Sequence, residues 1–269
     1  MFRGASVRLV ELHRDHPGFN DPLYRARRDE IAALAADYVE GEPMPQAQYR
    51  EDEQAVWRLV WRELDPLHAQ RACRQSLEAF ECFGFDREYI PSFPEINARL
   101  RPFRGFTLAP VAGLVTPELF LCELGRRRFL ATQYMRHHSE PLYTPEPDVV
   151  HEYIGHVPTL AYPPLAELGE AFGDASLRAT SEQRFLALIR VYWWTLEFGA
   201  LEEDGELKAY GAGLLSSFGE LGRFRDAQLR PFDLEAMSQA AFDPTDYQAQ
   251  IFVAPSFDAL RDALLRWLA

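Results

Sequence analysis

The chain has 269 residues, 47% hydrophobic and 26% charged, with a formal net charge of −13. That length accommodates a substantial core, and no run approaches the ~18 uninterrupted apolar residues of a membrane span. A charge this negative, with no basic stripe, argues against a phosphate-backbone partner, so neither nucleic acid nor a membrane is expected.

The N-terminal stretch MFRGASVRLVELHRDHPGF has no apolar leader core and no small-residue cleavage site. Cys73, Cys82 and Cys122 form no Cys-x-x-Cys pair, which predicts free thiols and a cytoplasmic location. DPLYRARRDEIAALAADYVEG opens on Asp21 as N-cap with Pro22 behind it, and predicts a helix ending at Gly41. REDEQAVWRLVWRELDPL predicts a second helix, with Val56, Leu59, Val60 and Leu64 on one stripe and acids in its first turn. GFTLAPVAGLV, GELKAYGAG and AQIFVAP read as strands. EQRFLALIRVYWWTLEFGAL, residues 182–201, is apolar on most sides and predicts a long buried central helix. SFDALRDALLRWLA closes the chain as an amphipathic helix capped by Ser256. The expected fold is mainly α with small β pieces, and with no repeat or linker in sight, residues 1–269 read as a single domain.

The stretch YTPEPDVVHEYIGHVP, residues 143–158, carries the chemistry. A zinc protease helix reads H-E-x-x-H, but here His156 falls one place late. At about 100° per residue, an i, i+4 pair is about 40° apart on a helix, whereas i, i+5 is about 140° apart. His151 and His156 converge only where the helix ends or distorts between them, and Gly155 and Pro158 supply that opportunity. The spacing therefore disfavours a tetrahedral zinc site with Glu152 as general base. The other metal logic is a facial triad of two histidines and one carboxylate, which holds Fe(II) and leaves one face open. Glu197, one acid inside an apolar and aromatic helix, is the best third ligand, since a buried carboxylate needs a cation or a metal.

HPGFNDPLYRARR, ATQYMRHHSEPLYTPEPDVVHEYIGHVP, YWWTLEFG and KAYGAGLLSSFGEL, in this order, resemble the catalytic domain of the pterin-dependent aromatic amino acid hydroxylases from about residue 13 to residue 257. The resemblance implies an iron(II) monooxygenase using a tetrahydropterin, with O2 as co-substrate, to hydroxylate the ring of a free aromatic amino acid. It implies His151, His156 and Glu197 as catalytic iron ligands, with Glu152 near the pterin. For the amino acid it implies Arg136 on the carboxylate, oriented by Asp148. The turn Thr144, Pro145 and Glu146 would line the substrate pocket, with Trp193 and Phe198 as aromatic wall, Gly213 close to the substrate and Ser216 behind the first histidine. Gly113, Leu114, Val115, Phe120 and Tyr192 would form the pterin pocket. His137 and His138 are expected to be structural or exposed.

Trp193 resembles the phenylalanine and tyrosine branches, tryptophan hydroxylases having phenylalanine there; KAYGAGLLSSFGEL is closest to the phenylalanine type, and Pro244 stands where the tyrosine branch has an acid, with Asp243 beside it. The expectation is L-phenylalanine to L-tyrosine, with tryptophan 5-hydroxylation as the alternative and a zinc metallohydrolase as the alternative from another class. The resemblance covers the catalytic domain without a regulatory domain or C-terminal tetramerisation helix, which leads us to expect a monomer or weak dimer.

Overall fold

A computed structural model describes residues 12–244 and 246–269. Residues 1–11, most of the stretch without a leader core, lie outside this description, as does Thr245.

Helix α1 (Pro22–Ala36) starts as the sequence predicts, with Asp21 Oδ1 accepting from the amides of Leu23 and Tyr24 at 2.9 and 3.1 Å. It ends at Ala36 rather than Gly41, because the exposed residues beyond, such as Val39, offer no face to bury. Helix α2 (Glu51–Arg71) buries Val56, Val60 and Leu64 as expected. Leu59 is only half-buried, and the buried stripe is completed instead by the indoles of Trp57 and Trp61, packed edge to face at 5.7 Å. The helix runs past Leu67 because its end is anchored: His68 Nε2 donates to Leu215 O and Arg71 Nη1 to Leu221 O.

Helices α3 (Arg74–Phe83) and α4 (Phe93–Leu100) lead to strand β1 (Thr107–Pro110). Helix α5 (Pro117–Gly125) then crosses over to β2 (Arg128–Ala131), which pairs with β1 in parallel. Helices α6 (Val157–Ala161), α7 (Pro163–Arg178) and α8 (Glu182–Tyr192) follow. The predicted central helix overruns: beyond α8 the coil widens at Trp193–Glu197, and the chain leaves it at Gly199. Its first half is only half-buried, with Leu186 exposed.

Strands β3 (Ala200–Glu203) and β4 (Glu206–Ala209) form a hairpin on Asp204–Gly205, both at positive φ. With β5 (Gln228–Pro231) and β6 (Gln250–Ala254) they build a sheet ordered β4-β3-β6-β5, in which β6 runs parallel to both neighbours. Of the strand predictions, β1, β4 and β6 are found, whereas β2, β3 and β5 were not foreseen. Short helices α9 (Ala212–Ser216), α10 (Phe218–Arg223) and α11 (Leu234–Gln239) fill the connections. Helix α12 (Phe257–Leu268) starts on Ser256 as expected. A continuous apolar core runs from Val56 to Leu268 and surrounds the histidine motif. Among the described residues no helix is long and apolar enough to cross a membrane, and the three cysteines are free.

Candidate metal centre and cofactor cleft

The distortion that the five-residue spacing demands is present. Residues His151–His156 form a π-helix, in which Val157 N returns to Glu152 O, five residues back. Such a turn holds more residues than an α-turn, so positions five apart come back toward one face. The two Nε2 atoms consequently lie 3.0 Å apart. Val149, Val150, Tyr153, Ile154 and Val157 are fully buried around the turn and fix it in place. Gly155 lets it sit flush on α9, since a Cβ there would lie 2.7 Å from Ala212 O.

That contact delivers Ser216. Its hydroxyl donates to Ala212 O (2.8 Å), so toward His151 Nδ1, 3.0 Å away, it accepts. The ring proton of His151 is thereby held on Nδ1, and the Nε2 lone pair is free to bind a metal.

Glu197 arrives on the other π-helix, Trp193–Glu197, where Phe198 N bonds to Trp193 O. Its carboxylate lies 3.1 Å from His156 Nε2 and 3.8 Å from His151 Nε2. Burial opposes charge on these groups. Glu197 nevertheless stays below the usual carboxylate range because His156 faces it, and His156 is raised by Glu197 in return. Burial takes His151 down to about 4, with His156 adding to the effect. The trio thus favours a positive charge at its centre.

Glu152 also stands close, and the ligand atoms of His151, Glu152 and His156 lie within 4.8 Å of one another. The carboxylates differ in their other partners. Glu152 accepts from Thr132 N and Thr132 Oγ1 at 3.1 and 3.3 Å, and burial pushes its carboxyl up to about 7. Glu197 reaches both imidazoles, so it is the better complement to the pair. A metal ion would take the place of the proton that Glu197 favours on His156, and two imidazoles with one ionised carboxylate on the floor of an open cleft suit divalent iron.

The cleft has a volume of about 350 Å³ and is mostly apolar. His151, His156, Glu197 and Glu152 line its floor, and Gly113, Leu114, Val115, Phe120 and Tyr192 line one side. Phe120 packs edge-on against Tyr192 and Phe129, at 5.5 Å in each case. Trp193, Phe242 and Pro244 line the other side.

The remaining predicted residues stand behind the wall. Arg136 is buried and gives Nε and Nη2 to Asp148 at 2.9 and 2.8 Å. The pair holds Asp148 below the usual carboxylate range despite complete burial. Asp148 also accepts from the amides of Arg136 and His151, which ties the arginine to the first histidine. Thr144 Oγ1 closes its turn on Glu146 O (3.0 Å), with Pro145 between them. The Glu146 carboxylate points away from the cleft to the buried Arg28, at 3.2 and 3.3 Å. Phe198 packs on Trp193 at 4.7 Å and over Gly213, where a Cβ would lie 2.6 Å from the ring. His137 is buried, hydrogen-bonded to Ser139 and Asp21, while His138 is exposed.

Sequence reasoning missed Thr132, Phe129, Phe242 and Gln248. Phe129 packs against the His156 ring at 4.6 Å, and Gln248 holds the Trp193 indole N–H at 3.0 Å. Each meets the site through tertiary contact, with no local pattern to announce it.

The profile of the biopterin-dependent aromatic amino acid hydroxylases matches residues 7–269. Tyrosine 3-monooxygenase of Mus musculus is 43% identical over 260 residues, which are 94% of this chain and 52% of that protein. Phenylalanine-4-hydroxylase of Bos taurus is 41% identical over 266 residues, 97% of this chain and 59% of that one. The chain thus spans little more than half the length of these relatives. The crystal structure of Chromobacterium violaceum phenylalanine hydroxylase with bound iron(III) and 7,8-dihydrobiopterin has a TM-score of 0.76 and 32% identity, with 82% of each chain covered. A matching profile over almost the whole sequence, a shared fold and a histidine–carboxylate cluster beside an aromatic cleft establish that this chain belongs to the biopterin-dependent aromatic amino acid hydroxylase family.

Proposed function

We propose that the chain is the catalytic domain of a tetrahydropterin-dependent non-heme iron monooxygenase that converts L-phenylalanine to L-tyrosine. The observation that carries the chemistry is the convergence of His151, His156 and Glu197 at the floor of the cleft. Bound iron would activate dioxygen as the oxidant, with the tetrahydropterin supplying two reducing electrons, and the protein supplies position and exclusion of water. His151 and His156 offer Nε2, Ser216 keeps the first ring in the right tautomer, and Glu197 brings the charge. Gly113, Leu114, Val115, Phe120 and Tyr192 form an apolar shelf for a flat heterocycle, and Glu152, anchored on Thr132, presents a carboxylate to its polar edge. Asp148 occupies two of the guanidinium nitrogens of Arg136, which leaves Nη1 for the substrate carboxylate. Thr144, Pro145 and Glu146 shape the turn beside it, and Trp193, backed by Phe198 and Gly213, forms the wall for the ring. The core continuous from Val56 to Leu268 supports one domain.

Phenylalanine is preferred to tyrosine because Phe242 and Pro244 stand on the cleft wall beside Trp193. Among its described lining residues the only carboxylates are Glu152 and Glu197, so none is left over to greet a phenol. The hydrolase reading requires Glu152 as the base on a metal-bound water, and Thr132 holds one of its oxygens. The test supplies Fe(II), tetrahydrobiopterin and air, and offers phenylalanine, tryptophan and tyrosine in turn. Tyrosine as the main product supports the proposal. Excess 5-hydroxytryptophan or dihydroxyphenylalanine overturns the substrate, and no hydroxylated product from any of the three overturns the reaction.

A further inference from the structure

Gln248 lies away from the iron-ligand cluster, yet every polar function of its side chain is used. Its Oε1 accepts from the Trp193 indole N–H at 3.0 Å, and its Nε2 donates to Asp243 O and Asp246 O, both at 3.0 Å. Its own amide donates to Glu220 Oε1 at 2.9 Å. The side chain is buried, and only one amide orientation works. A flipped amide would set NH2 against the indole N–H and oxygen against two carbonyls.

These bonds join two things otherwise separate in the chain. One is Trp193, on the π-helix that ends at Glu197. The other is the loop that puts Phe242 and Pro244 on the cleft wall. Phe242 stacks on Trp193 at 4.2 Å and 14°, and Trp193 packs on Phe198. The three rings make one wall, but ring stacking leaves in-plane sliding cheap. The Gln248 bonds oppose that sliding, since they run from the indole edge to the backbone on both sides of Thr245.

We infer that Gln248 is a positioning residue that sets amino acid selectivity, by locking the loop carrying Phe242 and Pro244 to the edge of Trp193. The inference rests on the hydroxylase reading above. Gln248 does not line the cleft, and among the described residues its side chain bonds only Trp193 and the loop, so its loss is expected to act through the wall that faces the substrate ring.

The test compares iron-loaded wild type with Gln248→Leu and with Gln248→Glu. Glutamate has the same length and still accepts from Trp193, but it loses both donors to the loop. Steady-state kinetics are measured with phenylalanine and tryptophan at saturating tetrahydrobiopterin, together with iron content and the KM for the pterin. Each variant is expected to raise the KM for phenylalanine and to narrow the phenylalanine-to-tryptophan ratio of kcat/KM by about five- to tenfold, the scale of one or two lost buried hydrogen bonds. Iron content and pterin KM are expected to stay at wild-type values. An unchanged ratio in a folded Gln248→Glu protein overturns the inference while wild-type turnover leaves the hydroxylase reading standing. Iron content or pterin KM shifting in step with the ratio also overturns it, since that marks general loosening. A wild type without turnover removes both.

Discussion

The floor of the cleft and its rim are built on different terms. On the floor, His156 and Glu197 are buried and His151 is mostly so, and all three sit on π-turns whose backbone bonds fix the side-chain directions. At the rim, Leu114 is 76% exposed, on a short connection between β1 and α5. The floor is preorganised by buried partners at the expense of regular helix geometry, whereas the rim leaves apolar surface in water. A lone exposed leucine is unremarkable, but one lining a cleft already walled by Phe120 and Val115 is surface for a flat apolar ligand to cover.

The comparison breaks most visibly if the floor proves tolerant. Asp148→Ala leaves the buried guanidinium of Arg136 unpaired, which is expected to cost about 3–5 kcal/mol in denaturant unfolding. A loss below ~1 kcal/mol would mean the floor is far less rigid than described. The next effect is acid sensitivity. Burial lowers His68 to about 4, while its Nε2 donates to Leu215 O next to Ser216. As pH falls below the ordinary value near 6.5, the unfolded chain takes up this proton first. His68 therefore contributes full stability above about pH 6.5 and loses up to ~3 kcal/mol by about pH 4. His68→Gln keeps a donor without titrating, so the pH slope of its unfolding free energy should be shallower than that of wild type. Parallel slopes would refute the assignment.

Two smaller effects sharpen the contrast. Ser216→Ala removes the acceptor that holds the His151 tautomer and is expected to weaken Fe(II) binding by ~10–100-fold with the fold intact, measured by competition with a chelator. Leu114→Ser at the rim should change stability by less than about 0.5 kcal/mol. It should raise the pterin KM by about fivefold, the scale of one partly buried leucine, and leave the phenylalanine KM unchanged. If Leu114→Ser instead acted on phenylalanine, the pterin would not lie along this rim.

The helix starts at Pro22 and Phe257 were legible because their caps are local: Asp21 and Ser256 each bond to amides two or three residues on. The break in the helix at His151–His156 was legible for a different reason, since five-residue spacing and Gly155 leave a regular helix no way to serve both histidines. Strands β2 and β5 were not legible. They are four residues each, β5 is exposed along its length, and pairing with distant partners defines them. The Asp204–Gly205 turn was a hairpin signal in plain sight, and reading it would have found β3. Trp57 and Trp61 were passed over in favour of Leu59 because the stripe was placed from the aliphatic residues alone. At the site, the motif and the resemblance pointed to the histidine–carboxylate cluster and to Gly113, Leu114, Val115, Phe120, Tyr192 and Trp193, which line the cleft. Thr132 opposite Glu152, and Gln248 opposite Trp193, are separated by 20 and 55 residues and have no sequence period.

The most direct test of the centre is Fe(II) binding measured anaerobically on wild type, Glu152→Gln and Glu197→Gln side by side. Two carboxylates flank the histidine pair, and the geometry assigns the metal to the one that reaches both imidazoles. The account predicts near-stoichiometric iron in wild type and Glu152→Gln. In Glu197→Gln it predicts a loss of affinity beyond the ~100-fold ceiling of outer-shell changes. Iron retained by Glu197→Gln and lost by Glu152→Gln would contradict it.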